Sequence, residues 1–110
     1  MIEPKPSKHR RGEPVSVRVD DERDAPRGWL YTVRIARRAA GESVHEVSLS
    51  WADHDQMTGG AASPSRLVAS VCEVLVEARG EEPLPERFDV ATVRRWVPDL
   101  AQRVGMAGLG

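Results

Sequence analysis

Two stretches of the chain alternate apolar and polar residues with a period of two. In the first, Trp29, Tyr31, Val33 and Ile35 fall on one face and Thr32 and Arg34 on the other; in the second, His45, Val47, Leu49 and Trp51 share a face. That period belongs to half-buried β-strands. Between them, Ala39-Ala40-Gly41-Glu42-Ser43 has the length and the glycine of a hairpin connection, so the two strands are predicted to pair antiparallel. Upstream, Val15, Val17 and Val19 alternate with Ser16, Arg18 and Asp20 and predict a further short strand. The charged run from Asp20 to Asp24, followed by Pro26 and Gly28, reads as an exposed loop.

After residue 62 the period changes. Ser63 suits an N-cap and Pro64 the first helical position, and Leu67, Val68, Val71, Cys72, Leu75 and Val76 recur at three-to-four spacing until Gly80 closes the element. Glu73, Glu77 and Arg66 fall on its wet side. A Pro-stiffened linker, Glu81-Glu82-Pro83-Leu84-Pro85, leads to a second apolar stripe of Val90, Val93, Trp96, Val97, Leu100 and Val104, capped by Asp89. Pro98 lacks an amide proton and disfavours helix at Val97, which predicts a kink or two short helices meeting there.

An isolated hairpin is marginal in water, so the helices must cover the sheet. The predicted class is α+β: a small two-layer domain with an antiparallel hairpin or three-stranded sheet followed by two helices. Trp29, Tyr31, Val33, Ile35, Val47, Leu49, Val71, Leu75, Val93 and Trp96 are the predicted core. The predicted organisation is a basic flexible arm at 1–13, one domain at 14–104 and a flexible Gly-rich tail at 105–110.

Composition narrows the class further. At 110 residues, 40% hydrophobic and 30% charged, the chain has the size and balance of one globular domain. No apolar run approaches the roughly 20 residues that span a bilayer, and the N-terminus has no apolar signal region, so no membrane partner is expected. One cysteine, Cys72, excludes an intramolecular disulfide and suits a reducing compartment; a cytoplasmic protein is expected. Fourteen arginines against two lysines, with no asparagine, match the codon bias of a GC-rich bacterial genome. The net charge of −1 is uneven: residues 1–12 carry +3, leaving −4 for the body. An acidic body disfavours a broad nucleic-acid face, which needs many cationic phosphate contacts.

Candidate chemistry gathers in residues 52–62, read as a loop between strand and helix. Asp53-His54-Asp55 is the densest cluster of metal-competent groups, but adjacent residues diverge and no second His or Cys stands at a ligand spacing. No metal or cofactor is therefore assigned, and the Asp side chains are expected to close turns on the local backbone. Gly59, Gly60, Ser63 and Arg66 have the makings of an anion cradle at a helix N-terminus, without the Gly-Lys-Ser/Thr of a phosphate-binding loop. His45 falls on the apolar face, where a hydrogen-bonded core histidine is the simpler reading than a general base. Cys72 lies on the apolar stripe of its helix, where a thiol behaves as a small hydrophobe.

Three functions follow from these residues. The first is a non-catalytic binding or adaptor domain that engages a protein partner, with Asp53, His54, Asp55, Gly59, Gly60, Ser63 and Arg66 as the binding residues. The second is a nucleic-acid-associated regulator using Arg94, Arg95, Arg66 and the arm. The third is a metal- or anion-dependent enzyme built on the Asp53-His54-Asp55 segment; no catalytic residue is assigned.

Overall fold

A computed structural model describes residues 15–38, 41–80 and 82–105. The predicted arm, the Ala39-Ala40 connection and most of the predicted tail lie outside them. Three strands come first: β1 (Val15–Ala25), β2 (Gly28–Arg37) and β3 (Gly41–Ser50). Then follow α1 (Trp51–Thr58), α2 (Pro64–Arg79), β4 (Arg87–Asp89), α3 (Val90–Trp96) and α4 (Leu100–Val104). The sheet order is β1-β2-β3-β4; the first three strands form an antiparallel meander, and β4 pairs parallel to β3. The small α+β architecture is thus the one the periodicities predict, with a fourth strand added.

The inner face of the sheet carries Tyr31, Val33, Ile35, Val47 and Leu49, all buried. Against it lies the apolar stripe of α2, from Leu67 to Val76, joined by Val90 and Val93 of α3 and Leu100 and Val104 of α4. Ser63 caps α2 by accepting from the Arg66 amide, Pro64 occupies the first helical position and Gly80 (φ 62°) ends it. Arg37 then ties β2 to that end, donating through Nη1 to the carbonyls of Gly80 (2.8 Å) and Glu82 (2.9 Å). The first is the C-cap carbonyl of α2, which lacks an intrahelical partner, and the second lies just beyond the helix end.

Four expectations are corrected. The charged segment 20–25 is not a loop: β1 continues through it to Ala25, with a bulge at Asp20 between Val19 and Asp21. On an edge strand charged side chains stay wet while the backbone still pairs, and charge and bulge both discourage edge-to-edge association. Asp20 takes hydrogen bonds from Arg18 Nε (2.7 Å) and Arg34 Nε (2.9 Å), which hold its carboxyl below the usual carboxylate range. Residues 51–58, read as strand end and loop, form α1; Ser50 accepts from the Asp53 amide at 3.0 Å, the arrangement of a helix start. Trp51 therefore leaves the core face and is 57% exposed. Trp96, placed in the core, is 36% exposed and stacks under the Arg79 guanidinium, 4.7 Å from its ring centre, while Val93 and Val97 are buried in its stead. Between α3 and α4, the Val97-Pro98-Asp99 segment carries no helix.

Leu49 of β3 and Leu75 of α2 belong to the shared sheet–helix core with 2% and 0% exposure. Leu49→Ala and Leu75→Ala should each lower the unfolding free energy by about 2–5 kcal/mol in urea titrations. Losses below about 0.5 kcal/mol for both would contradict this core, since they fall far under the usual cost of such truncations.

Candidate functional site at the carboxyl ends of β3 and β4

Parallel pairing brings the carboxyl ends of β3 and β4 to one edge of the sheet, and each strand runs directly into a helix. Ser50 caps α1, and Asp89 Oδ1 caps α3 by accepting from the amides of Ala91 (3.0 Å) and Thr92 (3.4 Å). A cleft of about 260 Å³ opens between these starts, walled by the Pro26-Arg27-Gly28 turn, Ser48, Ser50, Asp53 and Asp89. A second groove of about 340 Å³ runs along α3 past Arg94, Arg95, Pro98 and Leu100, and both are lined by Ala91. Arg94 bridges the two, with Nη1 2.7 Å from Asp53 Oδ1 and 2.8 Å from Gln56 Oε1. The Asp53 side chain is only 15% exposed, so this pair ties α1 to α3 in a partly dry setting.

The turn at the rim has a strained residue. Arg27 sits at φ 65°, in the left-handed region, where glycine or asparagine is the usual occupant. A non-glycine there costs roughly 1 kcal/mol. Gly28 follows because a Cβ at that position would collide with the Leu49 carbonyl oxygen. The Arg27 carbonyl accepts from the Trp51 amide at 2.9 Å, which sets the Trp51 backbone beside the turn, and its indole is exposed.

The residues singled out from the sequence are spread along α1, the turn after it and the start of α2. Asp53 faces Arg94, while the His54 Nε2–H donates to the Ala62 carbonyl (2.7 Å) and its ring meets Trp29 edge-on at 5.5 Å. Asp55 is exposed, and its carbonyl accepts from Gly59 at 2.7 Å, closing α1. Successive helical residues diverge by about a quarter turn or more. Among the described residues no three His, Cys, Asp or Glu side chains converge on one point. Gly59 (φ 60°) and Gly60 (φ 83°) make the left-handed exit from α1, and their amides are taken up by Asp55 and Thr58. Ser63 is occupied as the α2 cap; the Arg66 side chain is exposed. The amides of the expected cradle thus bond within the turn.

Two further candidates are closed off. His45 is 3% exposed; Nδ1 lies 2.6 Å from the Pro85 carbonyl and Nε2 lies 2.7 Å from Ser43 Oγ. A carbonyl can only accept, so Nδ1 carries the proton, and in the neutral ring Nε2 accepts from the Ser43 hydroxyl. Burial pushes the Cys72 thiol up to about 12, far from a nucleophilic thiolate.

Sequence reasoning passed over Arg27, Ser48 and Asp89 as wall residues and placed Trp51 inside. Ser50-x-x-Asp53 is the signal that marks a helix start at this place. Comparisons with protein-family models, curated proteins and solved structures give no match.

Asp53 and Arg94 should prove energetically coupled. A double-mutant cycle of Asp53→Ala and Arg94→Ala in urea denaturation should return about 0.5–1 kcal/mol, the scale of a charge pair with one half-exposed member. Additive losses would show that the two helices are held without this pair.

Proposed function

We propose that this chain is a small, non-catalytic, cytoplasmic bacterial binding module that engages a protein partner through the edge built by Trp51, the Pro26-Arg27 turn and the exposed side of α3. The observation that supports it most is the 57% exposure of Trp51, which directly follows the cleft-lining Ser50. An indole left in water forgoes burial worth some 2 kcal/mol. Tryptophan and arginine are the residue types that dominate binding energy at interfaces, and here Trp51 follows the cleft-lining Ser50 and bonds the Arg27 backbone, while Arg27 lines the cleft and Arg94 and Arg95 the groove. The chemistry that an enzyme would need is otherwise engaged: His45 is locked in the core, and Asp53 and His54 hold α1 in place.

The nucleic-acid reading has less support. Of the residues it requires, Arg94 is paired with Asp53; the neighbouring Trp96 meets Phe88 at a tilt and lies under the Arg79 guanidinium. Carboxylates of Asp53 and Asp89 wall the same cleft.

The experiment is capture from bacterial lysate by the immobilised full chain and its Trp51→Ala variant, after nuclease treatment. Trp51→Ala should lose a specific protein by about tenfold or more while its thermal midpoint stays within a degree or two, as expected for an exposed residue. Equal capture by both proteins would remove Trp51 from the interface. Capture that disappears on nuclease treatment would favour nucleic acid.

A further inference from the structure

Resting on the reading of the Trp51 edge as a protein-binding surface, we infer that the segment it takes is an acidic peptide. Its carboxylates meet Arg27 and Arg95, and an apolar residue between them covers Trp51. Arginine pairing carries the argument. Elsewhere on the fold the guanidinium groups are spoken for: Arg18 and Arg34 on Asp20, Arg23 and Arg87 on Glu46, Arg79 on Glu82, Arg103 on Glu77. Among the described residues, Arg27, Arg66 and Arg95 have side chains with no hydrogen bond or ion pair, and two of these three border the joined cleft and groove. A chain that pairs most of its described arginines leaves Arg27 unpaired in the turn that holds the Trp51 amide, and Arg95 unpaired in the groove that shares Ala91 with the cleft.

Arg27 adds a second, independent observation. Its left-handed backbone would suit glycine better, and its side chain makes no hydrogen bond or ion pair among the described residues that compensates. Strain held at a rim residue points to a role for the side chain outside the fold.

The sign pattern selects a peptide. Along the surface the charge runs from Arg27, past Asp53, Asp89 and the hydroxyls of Ser48 and Ser50, to Arg94 and Arg95. A phosphate backbone carries negative charge at every step and would meet the carboxylates midway. A peptide carries charge only at chosen side chains, and its amides between them can donate to the serine and aspartate oxygens. The acidic body of the chain opposes this little, because screening at physiological salt confines the interaction to about 8 Å.

The test is selection from a random peptide display library on the immobilised full chain. Fluorescence titrations follow with a labelled glutamate–leucine peptide, its glutamine counterpart and a labelled single-stranded oligonucleotide. Acidic sequences should be enriched, and the glutamate peptide should bind at least about tenfold more tightly than the glutamine one. Arg27→Glu with Arg95→Glu should lower its affinity by about tenfold or more. Arg27→Gly, which relieves the backbone, should weaken binding while raising the thermal midpoint, so that loss of affinity is separated from loss of fold. Neutral or basic peptides that still depend on Trp51 would overturn the acidic specificity and leave the protein-binding reading standing. No Trp51-dependent peptide at all would remove both. Tighter binding of the oligonucleotide than of the acidic peptide would overturn the inference in favour of nucleic acid.

Discussion

Three residues of β4 pair with β3, Arg87 with Glu46, Phe88 with Val47 and Asp89 with Ser48, and their parallel direction decides where the last part of the chain lies. A strand so short has few ladder bonds of its own, and its neighbours hold it. His45 donates to the Pro85 carbonyl and the Glu46 amide donates to that of Glu86 at 2.9 Å, so the approach to β4 is fixed before the pairing begins. Phe88 is buried, with its ring 6.0 Å from His45 and 6.2 Å from Trp96. An unpartnered polar ring in this core would cost about 1–3 kcal/mol, so both nitrogens of His45 have to be satisfied, and the strap through Pro85 satisfies one of them.

The candidate site follows from that placement. Its walls come from the Pro26-Arg27 turn, the β3–α1 junction and the β4–α3 junction, which are remote in sequence and meet because β3 and β4 point the same way. Two contacts then lock the geometry: Trp51 to Arg27 through the backbone, and Asp53 to Arg94 through side chains. Helices beginning at adjacent parallel strand ends are a common setting for ligand sites in α/β sheets, but here the caps Ser50 and Asp89 occupy the orphan amides. What faces outward is an indole and arginines. On the reading proposed above, that inventory serves recognition of a polypeptide.

Much of the fold is legible in the sequence because period and capping agree there. The inward alternation of Tyr31, Val33 and Ile35, the α2 stripe from Leu67 to Val76, and the caps Ser63 and Asp89 stand as their patterns predict. The failures share one physical cause, that local pattern does not report tertiary pairing. Charged Asp21 to Asp24 read as loop, yet on an edge strand only the backbone needs a partner. Trp51 continued the strand's parity, but the Ser50 cap turned the chain into α1 one residue earlier. Phe88 in a three-residue segment has no period at all, so β4 leaves no trace. The site was the least legible part: Asp53 and His54 were noticed for their chemistry, which the structure uses for hydrogen bonds between elements. Arg27 and Arg95, like Arg66, stand out only once the ion pairs of the other described arginines are traced.

The His45–Pro85 strap seats β4 and thereby places α3 and the site. Native-state hydrogen exchange of His45→Ala against the parent chain tests it most directly. Amides of β4 and α3, from Phe88 to Trp96, should lose protection by about tenfold or more, while those of β2 and α2 keep most of theirs, since local opening is separable from global unfolding. A uniform loss across the sheet and α2, or unchanged protection in α3, would contradict the account.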